Sequence, residues 1–330
     1  MSLDDFAWAT PELRQRLLDE PRAVLSEQGV NLPTTFPPEV VHEVVRIVSL
    51  LWVDGQLVPV TQFKIDPFDE GLLFGRGVWE STRTCDGVPW LWALHLGRLR
   101  QTAAMLNIPL ESARLPDSNQ VRDYVRSLTK MDVIVRLNVT AGRFGKPGIV
   151  WLSAWLMQAG KPSLRLQSCI NPVQKGQPYL IWKTFQYATR MLIGQQAGHA
   201  GFDTALLLDA EKNVQEAAHA NIFVRLPEGW VTPVADGGLL PGTVRQFLLN
   251  RSPYPVREQR LPYELLAQAS EAFLTNSNVG IVPIEQIDDK TYPLGPETKE
   301  LLRWLQPVFA SHYPHQLVIN SRGRNQSNPA

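Results

Sequence analysis

Cysteine is nearly missing from this chain: its 330 residues hold only Cys85 and Cys169, far apart in sequence. That argues against a disulfide framework and points to a reducing compartment. The six histidines and two cysteines show no metal-ligand spacing, so no metal site is expected. Neither sign of charge is in excess, because Lys plus Arg and Asp plus Glu both number 32. No overall field therefore recruits nucleic acid or an anionic membrane. No apolar run reaches the roughly 18 residues of a membrane span. Met1-Ser2-Leu3-Asp4-Asp5 also lacks the basic and apolar regions of a secretory signal. Together these absences predict a cytoplasmic protein with neither nucleic acid nor membrane as partner.

A hydrophobic content of 44% and a charged content of 19% describe an ordinary globular protein, and the length suits two domains with an appendage. Residues 1–48 read as a short helical extension. Thr10-Pro11-Glu12 is a helix start, with a capping hydroxyl, a first-turn proline and an acid; Pro21 restarts a second helix that Gly29 ends. The pattern Asp19-Glu20-Pro21-Arg22-Ala23-Val24-Leu25, then Gly29-Val30-Asn31-Leu32-Pro33, resembles nitrile-hydratase-like leader peptides. That resemblance implies a docking handle for a pathway enzyme on residues 1–48; an extension packed on the body or on a partner subunit is the alternative.

Residues 49–160 read as a small α/β domain. Asp54-Gly55 sits between two short apolar runs and predicts a hairpin, and a second Asp-Gly turn at Asp86-Gly87 leads into Val88–Trp92. A helix is expected from about Leu94, with Arg98 near its start. Val133–Thr140 alternates, which makes a strand whose polar face, carrying Arg136, could line a site. Gly142–Gly148 is a loop with two cations, Arg143 and Lys146. Ala159-Gly160-Lys161-Pro162-Ser163 is the best linker to a second domain over 161–310, and residues 311–330 read as a disordered tail.

In the second domain one lysine interrupts an apolar run of strand-like composition, Tyr179–Tyr187. Burial of Lys183 among Ile181, Trp182 and Phe185 would lower its pKa and leave the neutral amine that carbonyl chemistry requires. A lysine snorkelling off a strand end fits the same run. Gly237–Leu249 is a glycine-punctuated loop entering a helix, and free N–H groups at such an end bind phosphate.

Four ordered motifs give these segments a common meaning. They are His95-Leu96-Gly97-Arg98-Leu99, Lys183-Thr184-Phe185-Gln186-Tyr187, Glu216-Ala217-Ala218-His219-Ala220-Asn221-Ile222-Phe223, and Leu240-Pro241-Gly242-Thr243-Val244-Arg245. Over about residues 51–309 the chain resembles the class IV aminotransferases, pyridoxal-phosphate enzymes of fold type IV that include branched-chain and D-amino acid aminotransferases and aminodeoxychorismate lyase. The resemblance implies an α/β fold with a small N-terminal domain and a larger, barrel-like C-terminal domain, the cofactor between them, and a homodimer. It makes Lys183 the catalytic Schiff-base lysine. It gives the cofactor Arg98, Tyr187, Glu216, Gly242, Thr243, Val244 and Ser277, with Glu216 holding the ring nitrogen protonated.

For substrate the expected positions are Trp79, Arg136, Arg143, Lys146 and Asn278. The implied reaction is ping-pong transamination between an amino donor and a 2-oxo acid acceptor, in a peptide or natural-product pathway if the N-terminal segment docks. Aminodeoxychorismate lysis is the alternative, favoured by Phe273-Leu274-Thr275-Asn276-Ser277 and Glu80-Ser81-Thr82-Arg83. A third reading is a docking protein on an inactive scaffold. The chain departs from the family pattern at Gln186, Ala217 and Arg76, at Trp79 beside the substrate pocket, and at Val244, where a phosphate-binding hydroxyl is common.

Overall fold

A computed structural model of the chain describes residues 9–28, 30, 32, 36–157, 160–172, 176, 177 and 180–309, with side chains described to residue 305. The expectations for Met1–Asp5, Gly29, Asn31, Pro33, Ala159, Tyr179 and the tail 311–330 lie outside the described residues. Among the described residues, no helix is long and apolar enough to cross a membrane, and no group of His, Cys, Asp and Glu could hold a metal ion.

The first strands are β1 (Leu50–Val53), β2 (Gln56–Pro59), β3 (Gly77–Cys85), β4 (Val88–Pro89), β5 (Val133–Thr140) and β6 (Val150–Leu156). They form one antiparallel sheet in the order β2-β1-β6-β5-β3-β4. Both predicted Asp-Gly turns are present. Asp54 and Gly55 take φ of 45° and 92°, and Asp86 and Gly87 take 52° and 76°, the left-handed pairs that suit the twist of a two-residue turn.

Helices cover this sheet. Three come first in the chain: α1 (Pro11–Asp19), α2 (Pro21–Glu27) and α3 (Pro38–Ser49). Thr10 caps α1, its hydroxyl accepting from the Leu13 N–H, with Pro11 at the first helical position. α3 is amphipathic, and its Val41, Val44, Val45 and Ile47 are buried in one core with Leu17, Val24 and Leu25 and with Val133, Val135, Leu137 and Leu152 of the sheet. Polar contacts fasten it further: Arg46 Nε donates to Leu128 O at 3.0 Å, and Thr129 Oγ1 to Glu43 at 2.5 Å. The N-terminal helices are therefore part of the first sheet's core. Next come α4 (Glu70–Phe74), α5 (Trp92–Met105), which lies on β3, and α6 (Ser118–Leu128), started by the Asp117/Gln120 capping box.

The second sheet comprises β7 (Leu164–Ile170), β8 (Thr204–Leu208), β9 (Val214–Ala217), β10 (Asn221–Leu226), β11 (Gly229–Pro233), β12 (Val256–Gln259), β13 (Glu271–Asn276), β14 (Gly280–Ile287) and β15 (Lys290–Thr291). Its order is β12-β11-β10-β13-β14-β7-β8-β9, with β15 on β14. Because β9 also approaches β10 through the Ala217–Ala220 bridge, the sheet curls into a half-barrel. Alternation along β10 sorts its two faces: Ile222, Val224 and Leu226 enter one core, while Phe223 joins Phe273 and Trp230 in another. The second of these cores lies beneath α8 (Thr243–Arg251) and α9 (Pro296–Phe309); α7 (Ala188–His199) lies against β8. This mixed α/β architecture agrees with the expectation.

Two details differ from it. The segment holding Lys183 is not a strand: it touches the first sheet through a single bridge, Val78–Thr184, and then enters α7. Phe185 packs its ring on Trp151 of the first sheet, and Trp182 lines the cavity between the sheets. Arg98 lies midway along α5, not near its start.

Candidate active site

A cavity of about 230 Å³ lies between the two sheets, lined from β3, α5, β5 and β6 on one side and from β9, β10, β13 and the start of α8 on the other. Lys183 reaches it from the extended segment. Main-chain bonds hold that segment, from Trp79 N to Lys183 O at 3.1 Å and from Phe185 N to Gly77 O at 2.9 Å. The Lys183 Nζ lies 3.8 Å from the centroid of the Trp79 ring. Burial, reinforced by Arg98, lowers its amine to about 7 against the opposing pull of Glu80. A large share of the amine is therefore neutral near pH 7.

Glu216 is the third residue of β9, its side chain only 3% exposed. Its Oε1 accepts from Arg190 Nη2 at 2.5 Å and from the Leu240 N–H at 3.1 Å, and its Oε2 accepts from Asn221 Nδ2 at 3.2 Å. Burial pushes the Glu216 carboxyl up, against the pull of Arg190. Asn221 needs Gly242 beside it, since a Cβ at that position would meet Asn221 Oδ1 at 2.0 Å. This is a packing reason for the glycine at the head of α8.

Beyond Gly242 the first-turn N–H groups of α8 have no intrahelical partner, and Thr243 and Val244 line the cavity. The departure at Val244 has a structural account: its side chain belongs to the core under α8. The neighbouring hydroxyl, Thr243 Oγ1, bonds Ser277 Oγ at 3.0 Å and His95 Nε2 at 3.2 Å.

Arg98 is fixed from below. Its Nε and Nη2 donate to the two oxygens of Glu80 at 2.7 Å each, and its Nη1 donates to Pro241 O at 2.9 Å. Three of the five guanidinium N–H groups are thus engaged and two remain for an anion. Burial alone would raise the Glu80 carboxyl, but Arg98 and His95, whose Nδ1 is 2.6 Å away, bring it down to about 2. Tyr187 stacks on His219 and bonds its Nδ1 at 2.9 Å. Burial, with help from Arg190 and Lys183, lowers His219 to about 4, so the ring is neutral.

Of the residues predicted from sequence, Lys183, Arg98, Tyr187, Glu216, Gly242, Thr243, Val244, Ser277, Trp79, Arg136 and Asn278 all line this cavity. Arg136 places its guanidinium carbon 3.9 Å from the Trp79 ring centroid, and burial lowers it only to about 10, so it stays charged. Arg143 and Lys146 are elsewhere, in a second depression with Lys64, Asp66 and Phe144, where Arg143 faces Asp66 at 3.8 Å. Arg76 and Gln186 also point away from the cavity, to Leu106 O and Asn107 O and to Phe74 O respectively. Sequence reasoning missed Glu80, Arg190, His219 and Trp155; Trp182 it named only as a neighbour that buries Lys183. Glu80 and His219 sit inside stretches it had quoted, so spacing from Arg98 and Tyr187 was the available signal; for Arg190 there was none.

The donor set fits pyridoxal phosphate. A neutral amine, a buried carboxylate, a helix N-terminus and an arginine with free donors surround one space. Two further polar atoms of its lining, Trp182 Nε1 and Thr275 Oγ1, are buried with no hydrogen-bond partner among the described residues.

Comparison with known proteins agrees. Residues 77–287 match the model of the family described as amino-transferase class IV. The aminodeoxychorismate lyase of Bacillus subtilis is 25% identical over 294 residues, covering 83% of this chain and 97% of that one. A Methanocaldococcus jannaschii protein with the provisional name branched-chain-amino-acid aminotransferase is 30% identical over 272 residues, covering 76% and 93%. In fold the chain is similar to a hypothetical aminotransferase from Mycobacterium tuberculosis solved in a PLP-bound form, with a TM-score of 0.71, 18% identity, and coverage of 78% and 98%. With the family's residues gathered around one cavity, the chain belongs to the class IV aminotransferases, a pyridoxal-phosphate-dependent enzyme family.

Proposed function

We propose that this protein transfers an amino group between an amino acid and a 2-oxo acid in two half-reactions at the Lys183 cavity. The observation that carries this reading is the convergence on one space of a neutral Lys183 amine, the Glu216 carboxylate and the α8 N-terminus with Arg98. Arg98 and the N–H groups of Thr243 and Val244 would hold the phosphate, Glu216 the ring nitrogen, and Tyr187 the phenolic oxygen. When bound, the cofactor supplies an electron sink for a substrate carbanion.

The chain's own residues do the rest. Lys183 Nζ would take the proton from the α-carbon of the donor and pass it to the cofactor carbon that carries the transferred nitrogen, which a neutral amine of low pKa suits. Arg136, unpaired with any carboxylate among the described residues, orients the substrate carboxylate together with Ser277 and Asn278. Trp79, Trp155 and Trp182 wall the cavity and exclude water. The test is the absorption spectrum of the protein with pyridoxal phosphate, compared with Lys183→Ala and after a panel of L- and D-amino acids. A Lys183-dependent band bleached by particular amino acids supports the reading; no such band overturns it.

A second reading, aminodeoxychorismate lysis, is supported by the 25% identical Bacillus subtilis lyase, nearly all of which this chain covers. Aminobenzoate and pyruvate as products would decide for it. For assembly we propose a homodimer, supported by Phe68, Leu72, Leu73, Phe74 and Phe144, apolar side chains each more than half exposed. Sedimentation as a monomer at micromolar concentration would count against it. The leader-like pattern supports docking of a pathway enzyme on residues 1–48. Because Leu17, Val24 and Leu25 lie in the core, the pull-down should compare wild type with substitutions at the exposed Glu12, Gln15 and Asp19 rather than with a deletion.

A further inference from the structure

Arg190 belongs to none of the motifs that mark the site, and its position is unfavourable on two counts. It is the third residue of α7, in the first turn, where the helix dipole opposes positive charge, and its side chain is 15% exposed. A guanidinium withdrawn from water there needs a compensating partner, and Glu216 is that partner at 2.5 Å. Arg190 Nη1 also donates to Ala218 O at 3.2 Å, which fixes the fork relative to β9.

The contacts of Glu216 divide unevenly between its oxygens. Oε1 carries Arg190 and the Leu240 N–H, whereas Oε2 carries only the Asn221 amide. Oε1 is therefore pinned, and Oε2 keeps free acceptor capacity within a cavity-lining residue. We propose that Arg190 is a positioning residue that keeps Glu216 ionised and turned, so that Oε2 can receive the protonated ring nitrogen of pyridoxal phosphate. The inference rests on the cofactor placement proposed above.

The charge argument runs in one direction. A carboxylate this buried is driven toward its neutral acid, and Glu216 is already pushed up with Arg190 in place. The other groups that act on it are Lys183, from the segment before α7, and Tyr187; His219 follows two residues beyond Ala217 on the same turn. Lys183, lowered to about 7, is the amine that the cofactor engages in the placement proposed above, so it does not stand in for Arg190 in the loaded protein. Without Arg190 the carboxyl is driven further toward its neutral acid, which deprives a protonated ring nitrogen of its acceptor.

The test is pyridoxal phosphate binding to apoprotein, read by tryptophan fluorescence from pH 5.5 to 9.5, for wild type, Arg190→Met, Arg190→Lys, Glu216→Gln and the Met/Gln double variant. A wild type that forms no Lys183-dependent adduct condemns the proposed function itself. Given that adduct, Arg190→Met should bind about tenfold more weakly at pH 6.5, the equivalent of one pKa unit, and recover as pH rises. Arg190→Lys should restore most of the low-pH affinity, and Arg190→Met should add nothing on the Glu216→Gln background. A loss equal at every pH, or an undiminished loss in the double variant, would assign Arg190 a merely structural role and overturn the proposal. If Arg190→Met does not fold, Arg190→Gln carries the same comparison.

Discussion

Trp79 grips the lysine segment twice: its indole N–H donates to Thr184 O at 2.8 Å, and its ring lies 3.8 Å under the Lys183 Nζ. The two effects of that ring on the amine oppose each other. Its face attracts an ammonium, by about 0.5–2 kcal/mol, while its bulk keeps water out. Burial is the larger influence on Lys183, so exclusion wins.

Trp79→Ala should therefore raise the Lys183 pKa by about one unit or more toward the ordinary lysine value. The pH profile of reductive methylation of apoprotein, read at the Lys183 peptide by mass spectrometry, checks this. A midpoint still near 7 would mean that other residues keep the amine dry.

Lys183 also makes stability depend on pH. Its folded value of about 7 lies below its unfolded value of about 10.4, so between these the unfolded chain binds the extra proton. The penalty is complete below pH 7 and fades as pH rises through that window. Lys183→Met should remove this slope, and melting temperatures of variant and wild type should converge above pH 10. Parallel curves from pH 6 to 10 would contradict it.

Glu80→Gln leaves Arg98 with half of its fork unpaired and deprives His95 of a charged partner. Breaking a buried pair in this way costs about 3–5 kcal/mol, measurable by urea unfolding at pH 7. The acid side has a definite sign. The Glu80 carboxyl is lowered to about 2, so its contribution is complete above the ordinary glutamate range and lost as pH falls from there to about 2. The variant should lack that acid-dependent component.

Ile47, on α3, is 2% exposed within the core of the first sheet. Ile47→Ala should destabilise the protein by about 2–5 kcal/mol in urea unfolding. A change within about 0.5 kcal/mol, as for a surface site, would show that the N-terminal helices are an independent unit.

Much of this was legible because local rules were obeyed. Asp54-Gly55 and Asp86-Gly87 turned where their left-handed preferences required, and Thr10-Pro11 began a helix. The alternation from Val133 to Thr140 sent Arg136 to the cavity. Lys183 was legible as chemistry but not as structure: its neighbours have strand-like character, yet Phe185 packs on Trp151 and Trp182 lines the cavity, with one bridge in place of a ladder. Arg143 and Lys146 misled because loop cations carry no sign of where they point, and here they face Asp66 and open surface. Arg190 was invisible for the opposite reason. Its meaning comes from Glu216, 26 residues later, and no spacing within one helix encodes that.

The contacts on the floor of the cavity run unbroken from Glu80 to His95, from His95 to Thr243, and from Thr243 to Ser277, crossing from the first sheet to the second. Arg98 doubles the crossing through Pro241. The anion-holding end of the cavity is thus where side chains stitch the two sheets together, and a change at His95 or Thr243 touches both sheets at once.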